Sequence, residues 1–429
     1  MSMSNVHDDI ALKAFGVLPP VMQKPFAPYI NELEKSSWYP DIFADRNMPK
    51  KKKALIDPEA DRFIYPDPPE NRLYKKIMSI TRRESEITAM PPLRSVYLIE
   101  HYIDRVMESL AAENYKDAIK FLGVFSHLIG DTGEPVHALN PEIIDIVLPP
   151  PRKFIGMELH ANIEKLSAHV DIASYKPRLL GANKAQIIMG VYEGLSEVRN
   201  IGSALAVPIT QALYAGKRKK AVELSGLAQS AAAKLFADFM YSVLMLFKKG
   251  EQKQSGTLDL RQYPFISCEV DMLYRYRPMI DISLIPYSGG KKYPLSLLTT
   301  KGIERVRGIG VLASMAPPYT REHIREARVD YFLVPGAYRR FSARAGLNPL
   351  FKKAICGAEF IVTGDGKELF HSQKIDPGNK CVEIDTPLDG VCWLTLLMRY
   401  INNPSSDDVQ RLHCEWASHG VWADPRLCS

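Results

Sequence analysis

Two histidines in the N-terminal half carry a carboxylate four residues on: His127 with Asp131, and His160 with Glu164. Residues four apart share one helix face, so each pair can aim an imidazole nitrogen and a carboxylate oxygen at a single cation. Spacing alone says little. With about one residue in nine acidic, ten histidines give about one such pair by chance. Context adds to it, because His127-Leu-Ile-Gly-Asp131-Thr-Gly-Glu-Pro-Val-His137 sets a third imidazole behind a Gly and Pro turn that can fold it back toward the preceding helix. Imidazoles and carboxylates around a borderline-soft divalent ion activate water and neutralise a phosphoryl group in transfer.

Such side chains need helices to hold them. From Pro92 to about Lys249 apolar residues recur at helical spacing, as in Val96 to Ile99, Ile103, Val106, Leu110, then Ile119, Leu122 and Phe125. Stop signals divide this half at Asn114, at Leu148-Pro149-Pro150-Pro151 and at Lys176-Pro177. Residues 44–72 are rich in Pro, Asp and Lys and read as a surface loop, with Lys50 to Lys53 as a solvated face. The most apolar long stretch, Ala231 to Phe247, is interrupted by Lys234 and Asp238, so no transmembrane segment is expected.

Around Gly250 to Gly256 the composition turns to that of a linker, and short extended runs follow. Ala358 to Thr363 precedes an Asp365-Gly366 turn, and Val382 to Ile384 and Trp393 to Met398 come after it. The expected architecture is multidomain α and β: a helical domain over 1–250 and a β-sandwich over 257–429. A chain of 429 residues with 46% hydrophobic and 24% charged residues suits two or three globular domains, not disorder. The net charge of +6 favours anionic partners mildly without choosing among them. All six cysteines lie at or after Cys268 with no Cys-x-x-Cys spacing, which permits disulfides and equally permits buried thiols. The opening residues, Met1 to Asp9, carry no signal-peptide pattern, and the compartment stays open.

The segment from Phe121 through Pro135-Val-His137-Ala, followed by Glu158-Leu-His160-Ala-Asn-Ile-Glu164, resembles the signature of zinc-dependent phospholipases C and the related single-strand-specific nucleases. That family is usually secreted. Trp38-Tyr39-Pro40-Asp41 resembles its early Tyr-Pro-Asp metal ligand, and His7 before Ile10 and Ala14 to Leu18 resembles its first-helix histidine. The resemblance implies an all-α phospholipase C-like domain. It also implies that His137, His160 and Glu164 hold one zinc, while His127, Asp131 and Asp41 contribute to a second, with Asp131 available to bridge. Asp41 is in addition the candidate catalytic base. His101 and His169 have no family counterpart and read as ordinary helix histidines.

The departures bear on chemistry. The chain has no histidine from residue 8 to residue 100, where the family supplies one more ligand, and Arg62 falls near the expected place. Asp61 or Asp67 can substitute as an oxygen ligand, or Arg62 can take the cation's place and bind phosphate. The subsite of His127, Asp131 and Asp41 then lacks its second imidazole, so one tight zinc, at His137, His160 and Glu164, and one labile ion are expected.

In the C-terminal half, Tyr293 to Leu298, Gly308 to Ser314, Val329 to Leu347, Thr363 to Phe370 and the closing His419 to Leu427 come in the order seen in the NPCBM-type carbohydrate-binding module that accompanies glycosidases. That resemblance covers about residues 257–427 and implies a glycan partner. Ser418 stands where an Asp beside the closing histidine is common, which leaves calcium in the module open. Of the last two tryptophans, Trp422 is expected in the core, and Trp416 can serve either a core or a sugar. Three functions compete. The first is a metal-dependent phosphoester hydrolase acting on a phosphodiester such as a phospholipid head group, with possible peripheral membrane contact and a glycan-targeting module. The second is a glycan-binding protein with weakened catalysis and a residual metal site. The third is a single-strand nuclease-like phosphodiesterase.

Overall fold

The computed structural model describes residues 6–44, 57, 59–64, 92–166, 169–250, 257–263, 267–269, 279–285, 291–313, 326–333, 337–352, 356–401 and 418–429. Lys50 to Lys53, Asp67, residues 251–256 and Trp416 lie outside them, as does the side chain of Asp61. The chain divides into two compact units, one holding the helices through Lys249 and the other the strands from Thr257.

The helical unit begins with α1 (Val6–Gly16), α2 (Pro20–Gln23), α3 (Ile30–Ser36) and α4 (Tyr39–Ala44). It continues through α5 (Pro92–Ala111), α6 (Tyr115–Gly133), α7 (Pro135–Ala138), α8 (Pro141–Val147) and α9 (Leu159–Glu164) to the long α10 (Lys184–Tyr214) and α11 (Arg218–Lys249). Helix starts follow capping chemistry. Asn114 accepts from Asp117 N at 3.1 Å, Asn140 from Glu142 N at 2.9 Å and Asn183 from Gln186 N at 3.0 Å, each satisfying an amide that the first turn leaves open. Pro135 and Pro141 occupy first-turn positions, where a missing N–H costs nothing.

Helix α6 is the hub, packing against α1, α3, α10 and α11. Its small residues permit this: a Cβ on Gly123 would strike Ser36 of α3, and one on Gly133 would strike Val198 of α10. Helix α11 is long and apolar enough to cross a membrane, yet 72% of its most apolar window is buried inside the unit. Within it the buried Asp238 accepts from Tyr175 Oη at 2.8 Å and from Arg178 N at 2.7 Å, tying down the loop before α10. A charge in an apolar helix is here a tether.

The second unit is an antiparallel sandwich. One sheet runs in the order Val382–Pro387, Arg340–Leu347, Ser418–Cys428, Gly308–Ala313, Met279–Ile280, with Thr257–Asp259 also paired to Ser418–Cys428. The other runs Lys367–His371, Gly357–Gly364, Trp393–Ile401, Glu326–Phe332, Ser267–Glu269. Gly364 pairs with Lys367, so Asp365-Gly366 closes a two-residue hairpin with φ of 50° and 75°, the mirror-image turn that Asp-Gly favours. The two sheets meet where Phe360 stands edge-on to Trp422, ring centres 5.2 Å apart. Trp422 is fully buried, as expected, and Cys356 and Cys392 are buried small side chains.

Candidate metal centre

The helical unit brings all seven of the sequence-selected residues together, in two neighbouring sets. In the first, His137 of α7 and His160 and Glu164 of α9 point three atoms at one another. His137 Nε2 lies 3.2 Å from Glu164 Oε1, His160 Nε2 lies 3.3 Å from the same oxygen, and the two Nε2 atoms are 3.2 Å apart. Tetrahedral zinc with bonds of about 2.0–2.1 Å keeps its ligand atoms about 3.3–3.4 Å apart, so this triangle has the size of one face of a zinc tetrahedron. The fourth corner faces outward, since the three side chains remain 37–42% exposed. The hydrogen bond to Glu164 raises the pKa of His137 despite its burial.

The second set centres on His127. Its Nδ1 donates to the Ser37 carbonyl at 2.8 Å. A carbonyl only accepts, so the proton of a neutral His127 sits on Nδ1 and the Nε2 lone pair is fixed outward. That lone pair faces Asp131 Oδ2 at 3.3 Å and Asp41 Oδ1 at 3.4 Å. A lone pair confronting two carboxylates requires a cation between them, either a proton or a metal ion. Without a metal the proton is the answer: burial lowers the His127 pKa, but the Asp131 hydrogen bond and the charges of Asp131 and Asp41 outweigh it and raise it. For Asp131, burial pushes the carboxyl up, and the hydrogen bond and charge of His127 hold it below its usual value.

His7 corrects the expectation that this second set lacks another imidazole. Its ring stacks on His127, centres 3.9 Å apart, and its Nε2 lies 3.4 Å from Asp131 Oδ1. Asp131 thus offers one oxygen to each of two imidazoles. Burial, then the neighbouring His127, lowers the His7 pKa to about 3, so its ring stays neutral, the form that binds metals. The approach depends on Gly130, where a Cβ would lie 2.7 Å from His7 Nδ1. Alanine there gains about 1 kcal/mol in helix propensity but overpacks by about 1–3 kcal/mol. The expected result for Gly130→Ala is a melting temperature unchanged or lowered by up to about 8 °C, with loss of the metal at the His127 set and retention of that at the His137 set. Metal content per chain after dialysis reads this directly, and unchanged stoichiometry would rule out the role given to His7.

Asp41 is positioned by the corner between α3 and α4. Asp8 of α1 accepts from Ser37 Oγ at 3.0 Å and from the Trp38 indole, while the buried Tyr39 donates to Asp57 at 2.6 Å, a carboxylate also held by Lys120. The Trp-Tyr-Pro run is therefore an anchor, and Asp41 is what it presents, with its side chain 56% exposed.

Arg62 does not face either set. It pairs with Asp117 and Glu59, and Asp117 stands at the start of α6, ten residues and so about 15 Å from His127. Sequence reasoning missed Glu134. It is buried with Oε1 unpartnered, and burial, opposed by His137 and reinforced by Glu164 and Asp131, raises its pKa to about 7. Its position between two selected ligands in the motif was the available signal.

In the β unit Ser418 is buried and its hydroxyl donates to the Cys356 carbonyl at 3.0 Å. His419 stacks on Phe351 with ring centres 3.5 Å apart and is likewise buried.

Residues 286–427 match the NPCBM/NEW2 domain family. A comparison with curated proteins gives no match. Among solved structures, the CBM51-2 and INT domains of Clostridium perfringens ZmpB in complex with GlcNAc are similar at 15% identity and a TM-score of 0.29, over 40% of this chain and 31% of that one. The CBM51 of Clostridium perfringens GH95 in complex with methyl-galactose is similar at 17% identity and a TM-score of 0.28, over 40% of this chain and 99% of that one. Clostridium perfringens alpha-toxin from an avian strain is similar at 12% identity and a TM-score of 0.34, over 97% of this chain and 86% of that one. The chain thus spans less than a third of the ZmpB fragment.

Proposed function

We propose that the chain is a zinc-dependent phosphoester hydrolase whose helical domain, residues 1–250, carries the chemistry and whose β-sandwich, residues 257–429, binds glycan. The observation that carries this reading is the His137, His160 and Glu164 triangle, with sides of 3.2–3.3 Å. Two nitrogens, one carboxylate and an open corner are the donor set of a catalytic zinc. When bound, the ion supplies Lewis-acid chemistry for water attack on a phosphoester. The second set, His7, His127, Asp131 and Asp41, suits a further and more labile cation, because it offers more carboxylate oxygen and so a harder environment.

The protein's own groups then divide the work. Ser37 locks the His127 tautomer, Asp131 sets the two imidazoles of its set relative to each other, and the Asp41 carboxylate, beside His127 and 56% exposed, stands where it can take a proton from water at the rim. The NPCBM/NEW2 match supports the glycan role of the second unit. Purified full-length protein should hold zinc and hydrolyse a generic phosphodiester such as bis-p-nitrophenyl phosphate, and chelation should abolish the activity with zinc restoring it. A protein that stays metal-free in excess zinc would refute the hydrolase reading. A blank glycan array would remove the glycan role alone.

A further inference from the structure

Between the helices that carry His137 and His160 the chain exposes an unusual amount of apolar surface. Helix α8 turns Ile144 into a small core with Val136, Leu159 and Ile163, the neighbours of His137, His160 and Glu164. The same helix turns Ile143, Ile146 and Val147 outward, at 46%, 78% and 63% exposure, and Ile155 in the following loop is 71% exposed. One small core therefore supports both the triangle and this apolar face.

The rim of the face is basic. Arg152 and Lys153 precede Phe154, whose ring lies tilted against Tyr214 with centres 5.0 Å apart, and Tyr214 leads into the exposed Lys217, Arg218 and Lys219. Arg218 reaches back to the Lys165 carbonyl at the end of α9, at 3.4 Å. Against these five cations stand Glu142, Asp145 and Glu158, and Asp145 is engaged by the Tyr214 hydroxyl. Exposed β-branched side chains ringed by excess positive charge match the layering of an anionic bilayer, with phosphates at the surface and acyl chains beneath. A protein partner would need an apolar patch of matching shape ringed by acidic groups, whereas an anionic bilayer supplies both acyl chains and phosphates without shape matching.

We propose that the surface formed by Ile143, Ile146, Val147 and Ile155 with its basic rim docks on an anionic phospholipid bilayer. Docking itself does not require the hydrolase reading. Presentation of head-group phosphoesters to the His137 triangle does rest on it.

The test uses the full chain in EDTA, so that hydrolysis does not enter the readout. It compares sedimentation with vesicles of phosphatidylcholine alone and of equal parts phosphatidylcholine and phosphatidylglycerol. Binding to the anionic vesicles should fall as salt rises. The pair Ile146→Asp with Ile155→Asp should lower it at least about tenfold. The pair Arg152→Glu with Lys153→Glu should lower it by about fivefold per charge or more. Ile303→Asp, at a 60% exposed site in the other unit, should leave it unchanged. No binding to either vesicle, or an equal loss with Ile303→Asp, overturns the proposal. So does a dimer in solution that Ile146→Asp dissolves while vesicle binding is absent. Vesicle binding in EDTA without phosphodiester hydrolysis in zinc supports docking and defeats the hydrolase reading, whereas hydrolysis without vesicle binding does the reverse.

Discussion

Replacing His160 with alanine should remove the tightly held zinc and the hydrolytic activity together, while the cation at the His127 set remains. His160 Nε2 is one of three atoms in the triangle, and without it only His137 and Glu164 remain on that face. Two protein ligands fall short of the three a catalytic zinc site uses. Loss of a hydrogen-bonding neighbour of a metal ligand already costs about 10–100-fold in metal affinity or activity, so loss of a ligand should exceed that. The side chain is 41% exposed and contributes little to the core, so the fold should survive. Zinc binding at this set should also weaken as pH falls, because the ligands must be deprotonated and Glu164 raises the pKa of His137 in the metal-free protein. Metal content per chain, a zinc titration at several pH values and a phosphodiesterase assay read the three effects. Full zinc retention in His160→Ala would end the case for the triangle.

Asp131→Asn should disable the second set and reveal a pH signature that a purely structural role would not produce. The carboxylate offers one oxygen to His7 at 3.4 Å and the other to His127 at 3.3 Å, and asparagine keeps the shape while replacing one oxygen with a donor. One of the two imidazoles then faces an N–H group, and the labile cation should be lost, with activity falling at least about tenfold. In the metal-free protein the folded-state pKa of Asp131 is depressed. A depressed carboxylate pKa stabilises the fold above its unfolded value near 3.8, and that contribution disappears as pH falls through the folded value. In EDTA the wild type should therefore melt higher than Asp131→Asn at pH 7, with the two curves converging in acid. Parallel curves at every pH would mean that the charge of Asp131 does nothing for the fold.

Much of the candidate centre was legible before any coordinates. His127 with Asp131 and His160 with Glu164 each close to 3.3 Å because a helix sets the spacing of residues four apart, and that spacing is a local property of the chain. Capping asparagines, first-turn prolines and the Asp365-Gly366 hairpin are local in the same sense, and the helical and β-sandwich halves follow from periodicity. What the sequence left open depends on helices that cross. His7 joins His127 only because α1 meets α6 at a glycine, and Arg62 is drawn to Asp117, away from the expected ligand position. Glu134 reads as an ordinary acid after a glycine until the packing around it removes its water. These outcomes join residues far apart along the chain through close packing, where a single Cβ decides whether two elements touch. The sequence by itself determined which side chains share a helix face, since backbone hydrogen bonding within a helix dictates that, and only the tertiary structure decided which faces meet, since that depends on volumes contributed from every part of the unit.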